Sequence, residues 1–147
     1  MGGGEIAKFN WIIFALLSAI SAALVAIFGK LGVSNIDSTL ATTVRAIIMT
    51  LFLVIVSLVL GKFQLLKTID NKALLFIILA GVSGALSWFF YFLALKLGPA
   101  SGVAALDRLS VVFVLILSVL FLAEKLTLKS ALGVIFITLG AILMVVK

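Results

Sequence analysis

The chain has 147 residues, of which 65% are hydrophobic and only 11% charged, and its formal net charge is +6. Soluble domains are about 45–50% apolar and about 25% charged, so this composition excludes a soluble enzyme, a disordered tail and a nucleic-acid-binding module. The sequence contains no Cys and no His, which excludes disulfides, Cys/His metal sites and histidine acid–base chemistry, and we expect no metal and no cofactor.

Five long apolar runs divide the chain. A run of about 20 apolar residues spans the hydrocarbon core of a bilayer as a helix. The sequence therefore predicts an all-α, multi-pass membrane protein, in which residues 9–147 form one five-helix transmembrane domain. Residues 1–8 are predicted to be an N-terminal tail, whose three glycines resemble an artificial addition. The predicted helices are residues 9–31, 38–60, 73–95, 101–123 and 127–146.

Residues that cap or break helices bound these runs. Asp37 and Ser38 both suit the N-cap of the second helix, and Thr127 suits that of the fifth. Gly98-Pro99 ends the third helix, and Pro99 suits the first turn of the fourth. Glu124 ends the fourth helix, where the helix dipole disfavours a negative charge. A structural role for Glu124, in pairing with a nearby lysine or capping the fifth helix, is therefore favoured over chemistry.

The basic residues mostly flank the apolar runs, as expected for a membrane protein. Five spans place the termini on opposite sides, with six of the eleven basic residues on the N-terminal side and five on the other. Arg45 and Arg108 lie inside predicted helices, so the count in the loops is nearer six to three, which favours a cytoplasmic N-terminus. The bias is modest, so a mixed or dual orientation stays open. The first group is Lys8, Lys62, Lys67, Lys72, Lys125 and Lys129, and the second is Lys30, Arg45, Lys96, Arg108 and Lys147.

Small residues concentrate in the first and third helices, and Gly133 and Gly140 lie seven residues apart in the fifth. Small residues at such spacings let helix backbones approach closely in lipid. The pattern predicts either tight packing inside the bundle or faces that slide as the bundle moves. Gly133 and Gly140 form a candidate dimer face.

Three charges lie at membrane depth, where charged side chains are costly and often functional. Arg45 lies about 10 Å into the second helix, and Asp107 lies about 9 Å into the fourth. An Arg45–Asp107 ion pair would satisfy both, leaving Arg108 as a positive excess. The residues are either a packing salt bridge with a snorkelling arginine, or a polar path for an anionic or zwitterionic substrate. Asp107 is also a candidate for a coupling proton.

Other polar and aromatic residues extend this candidate path. Trp88 lies well inside the third helix, where a buried indole needs a hydrogen-bond partner or a cavity. Tyr91 lies on nearly the same face. The hydroxyls of Thr42 and Ser110 bond back to their helices or line the path. For the aromatic pair the alternatives are substrate lining and ordinary bundle packing.

The sequence resembles a single EamA-type unit of the drug/metabolite transporter superfamily over nearly the whole chain after residue 8. The family pattern usually has a proline early in the fourth helix, where this chain has Leu109-Ser110-Val111-Val112. Related small multidrug transporters carry a carboxylate in the first helix, which this chain lacks. The matching segments are WIIFALLSAISAALVAIFGK, which ends at Lys30, then TTVRAII, FFYFLALKLGPAS and LDRLSVVFVLILSVLFLAEKLTLKSALGVIFITLGAIL.

The resemblance implies a secondary transporter of small metabolites or drugs, not an enzyme, in the inner membrane of a prokaryote. Larger members have two inverted five-helix repeats around a midplane site and work by alternating access. This chain matches one repeat, so we expect a homodimer, antiparallel if the family architecture holds, with a central cavity near Arg45, Trp88, Tyr91 and Asp107. The expected partners are membrane lipid and a small-molecule substrate, with no nucleic acid.

Two alternatives stay open. The chain could be a non-transporting membrane scaffold or partner subunit, in which its polar residues are only structural. A passive channel is less favoured, because the sequence has no ring of acidic residues and no carbonyl-filter signature.

Overall fold

The computed structural model describes residues 3–146, with the side chains of residues 11–146. Met1 and Gly2 of the predicted tail, and Lys147 at the end of the predicted domain, lie outside this range. Within it the chain is helical and contains no strand, which confirms the predicted all-α class. The elements are α1 (Gly3–Gly32), α2 (Ser38–Val59), a 3-10 helix (Lys62–Thr68), α3 (Asn71–Leu97), α4 (Ala100–Asp107), α5 (Ser110–Leu122) and α6 (Leu128–Leu143).

Four segments of the described chain are long and apolar enough to cross a membrane. They are Trp11–Gly32, Ser38–Val59, Asn71–Leu97 and Ala100–Leu122. The fifth predicted helix, 127–146, is shorter in the structure, because α6 has 16 residues and is about 24 Å long. Beyond Leu143 the chain continues in turns, with the Val145 N–H donating to the Ile142 carbonyl.

The first helix is longer than its apolar run. It begins at Gly3, whereas the sequence predicts a start at residue 9. The segment before Trp11 includes Glu5, Ala7 and Lys8, which are good helix formers. Hydropathy marks only the part of a helix that is apolar, so it does not detect this polar first part.

Asp37 begins α2 as predicted, because its side chain accepts a hydrogen bond from the Leu40 N–H at 2.9 Å. This bond holds the pKa of the exposed Asp37 carboxyl below its ordinary value of 3.8, with a smaller contribution from the Lys96 charge. A lowered folded-state pKa means that the cap stabilises α2 above the unfolded pKa and is lost as pH falls through the folded one.

The fourth predicted helix, 101–123, corresponds to the apolar span Ala100–Leu122, which the structure interrupts locally at Arg108 and Leu109. α4 ends at Asp107 and α5 begins at Ser110. Around Arg108 and Leu109 the backbone tightens into 3-10 bonds: the Leu109 N–H donates to the Leu106 carbonyl at 2.9 Å, and the Val112 N–H donates to the Leu109 carbonyl at 2.9 Å. The interruption follows the charged pair Asp107-Arg108 and involves no proline.

The chain divides into two compact units, which we describe separately. The α2–α3 unit is Gly32–Leu97, in which α2 packs against α3. Here Lys96 Nζ donates to the Ile36 carbonyl at 2.8 Å, which ties the end of α3 to the loop before α2.

The terminal unit holds the described residues up to Leu31 and from Gly98 onward. In it α6 packs on α4 and α5. Lys30 Nζ at the end of α1 donates to the Gly98 carbonyl at 2.8 Å. Thr127 caps α6 as predicted and forms a reciprocal capping box with Ser130.

Ala123, the residue that ends α5, adopts φ 53°, in the left-handed region. That conformation costs an L residue about 1–2 kcal/mol, more than the chain entropy that glycine adds. We therefore expect Ala123→Gly to raise the free energy of unfolding by up to about 1 kcal/mol. The matched change Ala131→Gly, inside α6, should lower it by about 0.5–1 kcal/mol. Detergent unfolding followed by circular dichroism measures both, and a loss of stability in Ala123→Gly would contradict the assignment.

Candidate functional site

A groove between α2 and α3 lies entirely within the α2–α3 unit. It has a volume of about 540 Å³, within the range of about 300–1,000 Å³ that is typical of small-molecule sites. Among its lining residues, all of which the structure describes, Arg45 is the only charged one. The lining, called the α2–α3 groove below, consists of Thr39, Thr42, Thr43, Arg45, Ala46, Met49, Thr50 and Leu53 from α2, and Ala80, Gly81, Gly84, Ala85, Trp88 and Phe89 from α3.

Arg45 and Trp88 meet face to face across the groove. The Arg45 Cζ atom lies 3.5 Å from the centroid of the Trp88 ring and 5.5 Å from that of Phe92. Arg45 lies seven residues after the start of α2, and Trp88 lies nine residues before the end of α3, or about 10 and about 14 Å along the two helices. Such a cation–π contact is worth about 0.5–1 kcal/mol when exposed and about 2 kcal/mol when desolvated.

An aromatic cluster on α3 holds the Trp88 ring in place. Tyr91 meets it edge-on with the ring centroids 5.4 Å apart, and Phe92 does so at 6.1 Å. These residues are three and four positions from Trp88, so they share its helix face. Phe92 is buried and Tyr91 is half-buried. Tyr91, predicted as a pathway residue, therefore contacts Trp88 from the side but is not part of the groove lining.

No carboxylate of the α2–α3 unit, which the structure describes throughout, is positioned to neutralise Arg45. The unit has only two, Asp37 and Asp70. Asp37 caps α2, about 12 Å along the helix from Arg45. Asp70 accepts the Ala73 N–H at 3.0 Å at the N-terminus of α3, which is the other end of that helix from Trp88. The groove therefore carries a net positive charge.

Three of the four groove threonines donate their hydroxyl protons to carbonyls of their own helix. Thr42 Oγ1 donates to the Ser38 carbonyl at 2.8 Å, and Thr43 and Thr50 donate to carbonyls four residues earlier at 2.9 Å. Their oxygens offer only lone pairs to a ligand. Thr42 therefore bonds back to its helix and also lines the groove, and its part in a substrate path stays a prediction.

The floor of the groove is made by small residues of α3. A β-carbon added at Gly81 or at Gly84 meets no atom within 4 Å. The sequence predicts close helix packing or sliding for such residues, whereas within the α2–α3 unit the two glycines border open space. Sequence reasoning did not select Met49 and Leu53, although they lie four and eight positions after Arg45 on one helical face, which is the signal that could have found them.

The remaining predicted path residues lie in the terminal unit, at the interruption between α4 and α5. Asp107 is the last residue of α4, Arg108 follows it in the turn, and Ser110 begins α5. All three are exposed in the described chain. The predicted Arg45–Asp107 ion pair would join the two units, and it stays a prediction, as does the role of Asp107 in coupling.

The residues predicted to be structural occupy four places. Lys30 and Gly98 contact one another through the hydrogen bond above, and Pro99 is the N-cap residue of α4. Glu124 is exposed in the connection to α6, where its N–H donates to the Ser118 carbonyl. A β-carbon at Gly133 or Gly140 meets nothing within 4 Å, so this face of α6 is open. The described residues contain no group of three acidic side chains able to hold a metal ion.

Comparison with known proteins places these features in a family. The sequence profile of the EamA-like transporter family matches residues 9–146. The chain is 45% identical, over 93% of its own length and 97% of the relative's, to an uncharacterized transporter in the cobO 3′ region of a Sinorhizobium species. It is 32% identical, over 59% of its own length and 64% of the relative's, to an uncharacterized protein of Methanocaldococcus jannaschii. No solved structure matches it.

Proposed function

Because the chain belongs to the EamA-like transporter family, we propose that it is a secondary transporter of small metabolites or drugs that works by alternating access. The observation that carries this proposal is the α2–α3 groove, in which Arg45 is held on Trp88 at 3.5 Å beside a space of about 540 Å³. A charge at membrane depth is costly, and such residues usually face a cavity or a partner and mark substrate paths. The groove provides both the charge and the room.

We further propose that the transporter is a homodimer in the inner membrane of a prokaryote, with the groove of each copy facing a central cavity. The family match covers one repeat, whereas inverted-repeat transporters bind substrate between two. Gly133 and Gly140 support a dimer face, because both border open space on α6 and their spacing suits close helix approach.

Transport by the reconstituted protein tests this function. A thermal-shift screen of amino acids, amines, cationic dyes and phosphorylated metabolites selects a solute, and its uptake is then measured in proteoliposomes. We expect saturable uptake that falls by between about twofold and about thirtyfold in Trp88→Ala, since a cation–π contact is worth about 0.5–2 kcal/mol and about 1.4 kcal/mol corresponds to tenfold.

The variant Trp88→Phe is the matched control, because it keeps an aromatic face for Arg45, and it should retain most of the uptake. Normal uptake in Trp88→Ala would overturn the site. Uptake that rises linearly without saturation would indicate a channel. A purified protein that moves none of these solutes and stays monomeric would favour a scaffold subunit.

A further inference from the structure

The charge balance of the α2–α3 groove limits what it can bind. Arg45 is its one charged lining residue, and both carboxylates of the unit are engaged at helix N-termini. A cationic ligand would meet the charge of Arg45, which no carboxylate of the α2–α3 unit balances, and like charges at close range repel. An anionic group would instead complete an ion pair, so the groove selects against cations and in favour of anions.

The geometry of Arg45 suits one anionic group that can accept two parallel hydrogen bonds. Trp88 covers a face of the guanidinium at 3.5 Å, and stacking of this kind leaves the N–H donors at the edge of the plane available. Within Gly32–Leu97, which the structure describes in full, no carbonyl, hydroxyl or carboxylate accepts a hydrogen bond from the Arg45 side chain. A carboxylate or sulfonate has two oxygens at the spacing that a guanidinium binds in a bidentate manner.

The rest of the groove suits an apolar body. Met49, Leu53 and Phe89 line it with apolar side chains, and Gly81 and Gly84 line it without side chains, which leaves open space beside them. The threonine oxygens offer lone pairs without charge. A small inorganic ion would leave this volume of about 540 Å³ largely empty, whereas a ring or a short alkyl chain would fill part of it.

We propose that the α2–α3 groove binds an organic monoanion, with its carboxylate or sulfonate group on Arg45 and its apolar body against Met49, Leu53 and Phe89. The inference rests on the proposed function, because it names the class of solute that the transporter carries. Binding of the anion to the groove can be measured without transport, so the two proposals can be tested separately.

The fluorescence of Trp88 reports this binding directly. The chain has two tryptophans, so Trp11→Phe leaves Trp88 as the only one. In lipid nanodiscs this protein is titrated with benzenesulfonate, with phenyltrimethylammonium and with methanesulfonate. These probes carry permanent charges, so they compare an aromatic anion with an aromatic cation of similar size and with an anion that has no ring.

We expect saturable quenching of Trp88 fluorescence by benzenesulfonate, with an affinity at least about tenfold above that for either other probe. Only benzenesulfonate has both a negative charge for Arg45 and an apolar ring for the rest of the groove. Arg45→Gln should abolish the preference for the anion. Arg45→Lys should keep the preference for the anion at lower affinity, since lysine retains the positive charge but lacks the planar guanidinium that binds two oxygens at once and stacks on Trp88. Val82→Leu, an exposed α3 residue that does not line the groove, should bind like the parent protein.

Three results would overturn the inference. The first is equal or tighter binding of phenyltrimethylammonium, and the second is unchanged binding of benzenesulfonate in Arg45→Gln with its helicity intact. The third is no saturable quenching by benzenesulfonate, which is expected if lipid or a second copy of the chain fills the groove. The same preparations separate this inference from the proposed function. Binding of benzenesulfonate without uptake of any solute would support the anion site and contradict transport. Saturable uptake of cations alone would support transport and contradict the anion site.

Discussion

Replacing Gly84 by leucine is expected to weaken transport strongly while leaving the helices intact. Gly84 lines the α2–α3 groove one turn from Trp88, and a β-carbon at this position meets no atom within 4 Å. The new side chain therefore extends into the groove rather than into a neighbouring helix. Leucine is also a better helix former than glycine by roughly 0.5–1 kcal/mol, so α3 itself should not be weakened.

The size of the effect follows from the cost of overfilling a binding space. Where the leucine side chain and the ligand compete for the same space, overpacking costs about 1–3 kcal/mol, which corresponds to a roughly 5- to 150-fold loss of solute affinity. Saturable uptake into proteoliposomes and far-UV circular dichroism measure the two expectations on one preparation.

Val82→Leu is the matched control, because Val82 is on the same helix, is 56% exposed and does not line the groove. It should transport at the rate of the parent protein. If Gly84→Leu also transports at that rate, the groove is not the path of the solute.

Most of the helical segments could be predicted from the sequence, because hydropathy over about 20 residues is a direct measure of what a bilayer accepts. The caps Asp37 and Thr127 were equally accessible, since each acts within three residues of its own position. The interruption at Arg108–Leu109 could not be found this way. Its 3-10 hydrogen bonds depend on backbone geometry, and no proline or glycine marks the place.

Part of the candidate site could also be predicted, for a physical reason. Arg45 and Trp88 stand out because polar groups are rare at membrane depth. Their mutual contact could not be derived, since periodicity shows which residues share a face of one helix but not which faces of two helices meet. Sequence alone paired Arg45 with Asp107, a pairing that remains a prediction, whereas in the α2–α3 unit its contact is with an aromatic ring.

The groove floor shows a second limit of sequence patterns. Gly81 and Gly84 have the spacing of residues that pack tightly in membranes. The same absence of side chains leaves room for a ligand when no helix fills the space. The pattern indicates that this face of α3 lacks bulky side chains. The placement of α2 beside that face determines that the two glycines border a groove.

Water access to the groove is the most direct test of the central claim that the groove is the solute path. The chain has no cysteine, so Thr50→Cys introduces a single thiol in the groove, about 18 Å along α2 from its start. Ile48→Cys places a matched thiol at nearly the same depth. Two residues correspond to about 200° around a helix, so it lies on the opposite face of α2, and Ile48 does not line the groove.

An anionic, membrane-impermeant methanethiosulfonate reacts with a thiolate, which forms readily only where water reaches the sulfur. The measurement is the labelling rate of the two variants in proteoliposomes, with and without benzenesulfonate. We expect Thr50→Cys to be labelled at least about tenfold faster than Ile48→Cys, and to be protected by benzenesulfonate, because a thiol in a water-filled groove ionises more easily than one in an apolar environment. Equal and slow labelling of both variants would show that no aqueous path passes through the groove, and would contradict the account.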